Sequence, residues 1–230
     1  MDEKELFSFD IRGFLVLRGG ALDAVSSPGD EAASVLASPL LRQYVTALVN
    51  PGSAEGEGVV VDTPPAPLPQ VAGGGALAAA AAGDLAAAGD IAARAAGERV
   101  ISDGSSGDER RWTTRIGSDS VVRYAQGLRV VVALCDCPAG AGGLTIIPNS
   151  HNSGLPTAPP EALAFAPELQ QLCHQPELAA GDCVLMASNL VAFMRPWNLP
   201  TPQRLLSCEF ISPQTRPSAG IPPCASHLHI

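Results

Sequence analysis

At 230 residues, with 14 Lys and Arg against 23 Asp and Glu and a formal net charge of −9, the chain is sized for one β-rich domain with a real core. That charge has the wrong sign for an electrostatic grip on nucleic acid or anionic membrane. The acidic start Met1-Asp2-Glu3-Lys4-Glu5-Leu6 is unlike the basic start of a signal peptide, and the longest apolar run, Ala76 to Ala82, is too short to cross a bilayer; a soluble cytoplasmic protein is expected.

In chain order, Phe7 to Arg18 predicts an opening segment in which Asp10-Ile11-Arg12-Gly13 leads into the strand Phe14-Leu15-Val16-Leu17. Ala21 to Val25 and Asp30 to Leu36 predict short helical pieces. Pro39 to Val49 predicts a firmer helix: Ser38 caps it, Pro39 suits its first turn, Leu41, Tyr44, Val45 and Leu48 share one face, and Asn50-Pro51-Gly52 stops it. Val59-Val60-Val61 predicts a short strand that Pro64, Pro65, Pro67 and Pro69 end. Residues 73–97 read as an Ala/Gly-rich insert, a weak helix at best, because Gly83 and Gly89 each cost about 1 kcal/mol there. Ser102 to Arg111 predicts a loop, and Trp112 to Tyr124 one or two strands.

The most informative stretch runs from Leu128 to Ile211. It opens with the strand-like Leu128 to Asp136 and turns through Pro138-Ala139-Gly140-Ala141-Gly142-Gly143 into Leu144-Thr145-Ile146-Ile147-Pro148-Asn149-Ser150-His151. Pro156 to Pro167 predicts a loop and Glu168 to His174 a helical turn. Gly181-Asp182 starts a strand, Pro196-Trp197 follows, Arg204 to Ile211 closes the run, and the proline-containing tail at 213–230 is expected to be extended. This order resembles the phytanoyl-CoA dioxygenase family of Fe(II)- and 2-oxoglutarate-dependent oxygenases. There a long strand and a Gly-Gly turn lead to Pro-Gly-Ser-His, then to a Gly-Asp strand, a ligand histidine and an arginine. The resemblance implies a mainly β fold with N-terminal helices, a double-stranded β-helix or cupin-like jelly roll, in a single domain spanning 1–230.

The resemblance also implies a metal centre of two histidines and one carboxylate, leaving iron positions open for 2-oxoglutarate and oxygen. The chain does not spell that motif. Its four histidines are His151, His174, His227 and His229, none precedes residue 151, and none is followed two residues on by Asp or Glu. Either Gly117-Ser118-Asp119 stands at the first ligand motif, keeping Asp119 as a weak carboxylate candidate, or Val71-Ala72-Gly73-Gly74 does, with Ala72 in the histidine's place. In Leu190-Val191-Ala192-Phe193, Ala192 stands where relatives carry the distal histidine. The resemblance gives Arg204 the role of forking onto the distal carboxylate of 2-oxoglutarate; the plainer reading pairs it with Asp182 or Glu209. Arg195 could fill the site by pairing with Asp119. His151 implies a scaffold hydrogen bond, and His227 and His229 read as polar tail residues.

Six cysteines are too sparse for a disulfide scaffold, so reduced thiols are expected; Cys135 and Cys137 with Cys173, His174 or Cys183 match no zinc spacing. The leading expectation is a family member that has lost standard iron binding, with no cofactor likely, acting as a binding module with a small dicarboxylate as its ligand. The rival is an active oxygenase on a small or lipid-like substrate, using Fe(II), 2-oxoglutarate and unconventional ligands such as Asp119 with His151 or a cysteine.

Overall fold

The computed structural model describes residues 1–19, 31–49, 60–68, 99–102, 112–116, 121–152 and 171–212. The insert at 73–97, the loop at 156–167, the tail at 213–230 and the positions Ala72, Gly117, Asp119, His227 and His229 lie outside these described residues.

Helix α1 (Glu3–Arg12) is built on a capping box, in which the Asp2 carboxylate accepts from the Glu5 N–H at 2.7 Å and the Glu5 carboxylate accepts from the Asp2 N–H at 2.7 Å. Gly13 ends it in the left-handed region, φ 78°, and strand β1 (Phe14–Leu17) follows. Helices α2 (Glu31–Ala37) and α3 (Pro39–Val49) come next; the Ser38 hydroxyl accepts from the Leu41 N–H at 3.3 Å, as the sequence predicts for the start of α3.

Two antiparallel sheets carry the rest. The larger has the order β1, β8 (Cys183–Ala187), β6 (Gly127–Ala133), β10 (Leu205–Ile211), β2 (Val60–Pro67), where β2 is the edge. The smaller has the order β3 (Arg99–Ser102), β9 (Ala192–Arg195), β7 (Gly143–Ile146). Strands β4 (Trp112–Ile116) and β5 (Val121–Ala125) form a separate hairpin. The expected mainly β, cupin-like fold with N-terminal helices is the fold of this chain.

Two local readings change. Strand β2 continues through Pro64, Pro65 and Pro67, and it can do so because it is an edge strand with register shifts against β10, so missing N–H donors leave few ladder bonds unmade. His174, expected in a helical turn, is instead extended and bridged to Ile146, exchanging backbone bonds of 2.7 and 2.8 Å.

Both faces of the larger sheet are covered. On one face Phe210 of β10 lines a concavity of about 390 Å³ with Val35, Leu36, Leu41 and Val45 of α2 and α3. On the other, Leu144, Ile146, Ala192 and Met194 of the smaller sheet join Val131, Val184 and Leu205 in one apolar core. Double coverage explains why β6, β8 and β10 read as nearly continuous apolar runs instead of alternating ones.

Candidate functional site between the sheets

Residues paired across a sheet project from the same face, so the registers tell which side chains meet between the sheets. In the larger sheet Phe14 pairs with Met186, Met186 with Arg129, and Arg129 with Glu209. In the smaller, His174 is bridged to Ile146, Ile146 pairs with Ala192, and Ala192 with Ser102. Phe14 stacks on His174 with centroids 5.3 Å apart, which joins the two rows face to face. Met186, Arg129 and Glu209 therefore share the face of the larger sheet on which Phe14 meets His174, and Ala192 on the smaller sheet is fully buried.

This wall holds the charged cluster between the sheets. Arg129 Nη2 lies 3.5 Å from Glu209 Oε2, with side-chain exposures of 14% and 5%, and the Ser188 hydroxyl donates to Glu209 Oε1. Sequence reasoning missed Arg129, which sits mid-strand in an apolar run. The signal available was parity: on β10, Glu209 and Arg204 are an odd number of residues apart and so take opposite faces.

Arg204 accordingly turns to the helix-covered face. Its Nη2 donates to Glu31 Oε1 of α2 at 2.9 Å, and its side chain is 55% exposed. The partner is neither Asp182 nor Glu209. Asp182 instead accepts from Arg18 at 2.8 Å, from the Gly19 N–H at 2.8 Å and from the Ala179 N–H at 3.0 Å; burial pushes its carboxyl up, and these three donors together outweigh it and hold it below the usual range. Arg195 packs its guanidinium over Phe193 at 5.6 Å, on the face away from Ala192.

The remaining candidates are spread apart. His151 Nε2 donates to the Asp10 carbonyl at 3.1 Å, pinning α1 to the one-turn 3₁₀ helix Ser150–Asn152, while Nδ1 points at Gly13 and has no hydrogen-bond partner among the described residues. Its neutral form is enforced by burial, which lowers its pKa to about 4. The five described cysteines are free thiols. Burial pushes Cys137 up to about 11 and Cys183 and Cys208 up to about 12, which disfavours the thiolate a metal needs.

The described residues do not fit a facial iron triad. Ala192 offers no lone pair, and among the described residues no three His, Cys, Asp or Glu side chains converge. No described helix is long and apolar enough to cross a membrane.

Residues 105–191 match the sequence model of Phytanoyl-CoA dioxygenase (PhyH). No curated protein sequence matches the chain. The structure is similar to that of HygX from Streptomyces hygroscopicus with nickel, 2-oxoglutarate and hygromycin B bound, at TM-score 0.56 and 14% identity, covering 92% of this chain and 88% of that one. It is similar to HygX with iron bound, at TM-score 0.57, 14% identity and coverage of 92% and 87%. It is also similar to EvdO2 from Micromonospora carbonacea var. aurantiaca complexed with 2-oxoglutarate, at TM-score 0.54, 15% identity and coverage of 92% and 91%. These neighbours share the fold and carry iron, nickel or 2-oxoglutarate, which overturns the expectation that no cofactor is likely. That expectation followed from the absent histidines alone and gave no weight to what proteins of this fold carry.

Proposed function

From a chain that is a divergent relative of the phytanoyl-CoA dioxygenase family, matched over residues 105–191, we propose a protein that takes 2-oxoglutarate or a similar dicarboxylate between its sheets and holds Fe(II) there only weakly, for want of the family's ligand set. It acts as a binding member of the family in which turnover is slow or lost. The observation that carries this reading is the methyl group of Ala192, buried at the position where the resemblance places a ligand histidine. Each ligand removed from a metal centre lowers its affinity and leaves a 2-oxo acid less of a chelating anchor. The rival, an active oxygenase with unconventional ligands, draws no support from His151, whose Nε2 is committed to Asp10, or from cysteines held as thiols. The free thiols are the ground for placing the protein in the cytoplasm, which fractionation of cells by compartment checks.

The test is calorimetry of 2-oxoglutarate under argon, with and without Fe(II). The wild type is expected to bind the dicarboxylate weakly, with little change on adding Fe(II). Ala192→His, or the smaller donor Ala192→Cys, is expected to make each ligand tighten the other about tenfold, because two ligands that share a site are linked reciprocally. Strong mutual tightening in the wild type, or succinate formed when oxygen is admitted, overturns the reading.

A further inference from the structure

The concavity of about 390 Å³ on the helix-covered face lies on the opposite side of the larger sheet from the site described above. Its size falls in the range of ligand cavities, roughly 300–1,000 Å³, and far exceeds a packing gap, since protein interiors leave few voids larger than a water molecule. The residues explain why it persists. Helix α2 is only seven residues long, and Val35, Val45 and Val61 line the space with short side chains where larger ones would close it. Val35, Leu41, Val45 and Phe210 are all buried and make a fixed apolar floor. The mouth is open to solvent: Val61 on the edge strand is 40% exposed, and Arg42 of α3 is exposed as well.

Among the described residues that line this space, Arg42 alone is charged. Its Nε donates to the Leu36 carbonyl in the last turn of α2 at 2.9 Å, which holds the guanidinium at the mouth, and its two terminal nitrogens have no hydrogen-bond or ion-pair partner among the described residues. The acid at the start of α2, Glu31, is already engaged by Arg204 at 2.9 Å. A guanidinium left with free donors beside an apolar hollow is complementary to a molecule with an apolar body and one anionic end. We propose that this concavity binds an amphipathic monocarboxylate, its apolar body against Val35, Leu41 and Phe210 and its carboxylate on Arg42. A dicarboxylate does not suit the space, because its second charge would lie among valines without a partner. The site therefore stands apart from the dicarboxylate reading above and does not rest on it.

The experiment is calorimetry at low salt with octanoate, octanol and octylamine, below their micelle-forming concentrations, on the wild type, Arg42→Gln, Arg42→Lys and Val61→Trp, with thermal unfolding as the folding control. The wild type is expected to bind octanoate about tenfold tighter than octanol, and octylamine most weakly, because a charge-assisted hydrogen bond adds to the same apolar contact. Arg42→Gln should bring octanoate down to the level of octanol while octanol stays within about twofold, and Arg42→Lys should retain part of the preference. Val61→Trp, which narrows the mouth from an exposed position, should weaken both probes. Saturating 2-oxoglutarate should leave octanoate binding unchanged. Competition between the two would move octanoate to the other side of the sheet and overturn the proposal. Equal binding of octanoate and octanol to the wild type, or an octanoate affinity that Arg42→Gln leaves intact, overturns it too. So does an absence of octanoate binding together with self-association that Val61→Trp blocks, which would give the concavity to a second copy of the chain.

Discussion

Gly142→Ala should destabilise this protein by about 3–5 kcal/mol, the range reserved for substitutions that force backbone against backbone. Gly142 sits at φ 91°, where an L side chain costs roughly 1–2 kcal/mol by itself. A Cβ there would also overlap the carbonyl oxygen of Pro196 and come within 3.1 Å of the Trp197 Cα. Neither atom yields easily, because the Asn198 N–H donates to the Ala141 carbonyl at 2.9 Å, tying the two segments together, and the Trp197 indole donates to the Thr201 carbonyl at 2.6 Å, bracing the second segment. Gly140 supplies the control: its φ is 83° but nothing lies within 4 Å of an added Cβ, so Gly140→Ala should cost only the backbone strain. Urea unfolding of both variants separates the two contributions, and equal midpoints at equal slope would refute the overlap argument.

Acid should weaken the fold through His151 well before the carboxylates are protonated. The folded protein keeps this histidine neutral down to about pH 4, because an added proton on Nδ1 would be buried against Gly13 without an acceptor, whereas the unfolded chain takes that proton near pH 6.5. Below pH 6.5 the unfolded state binds more protons than the folded one, so stability is full above that value and falls as the pH drops toward 4. A shift of this size corresponds to about 3 kcal/mol. His174 adds in the same direction, its pKa lowered by burial and then by the Arg12 charge. His151→Gln keeps a donor for Asp10 and cannot titrate, so its stability should be flatter between pH 6.5 and 4. Identical pH profiles for the two proteins would remove His151 from the account.

Much of the scaffold was legible in the residues. Ser38-Pro39 and the stripe from Leu41 to Leu48 give α3, and the apolar runs at 128–136, 183–186 and 205–211 give the three central strands. What escaped has physical causes. Helix α1 announces itself only through Asp2 and Glu5, a spacing that is a capping box once the helix exists and a pair of surface acids otherwise. The proline-rich β2 is a strand because it is an edge, and edge position is a tertiary fact. The site was harder still. With helices on one face and a sheet on the other, β10 is buried on both sides, so its sequence does not show which residues look inward. Arg204 is conspicuous by its place before a strand, and Arg129 is hidden in the middle of one. Only the register connecting Phe14, Met186, Arg129 and Glu209 separates them.

The order of strands also governs when the molecule can be assembled. Both edges of the larger sheet, β1 and β2, come from the first 67 residues, yet β1 waits for β8 at residue 183 and β2 for β10 at residue 205. During synthesis at roughly 5–20 residues per second, Phe14-Leu15-Val16-Leu17 is thus out of the ribosome for about ten seconds or more before its partner exists. A nascent chain stopped before residue 183 should therefore be open to protease along β1 and prone to associate through that apolar strand, and the released protein should fold on the slow timescale of distant pairings. Protection of β1 in such a stalled chain would show that α1 and the helices shelter it first.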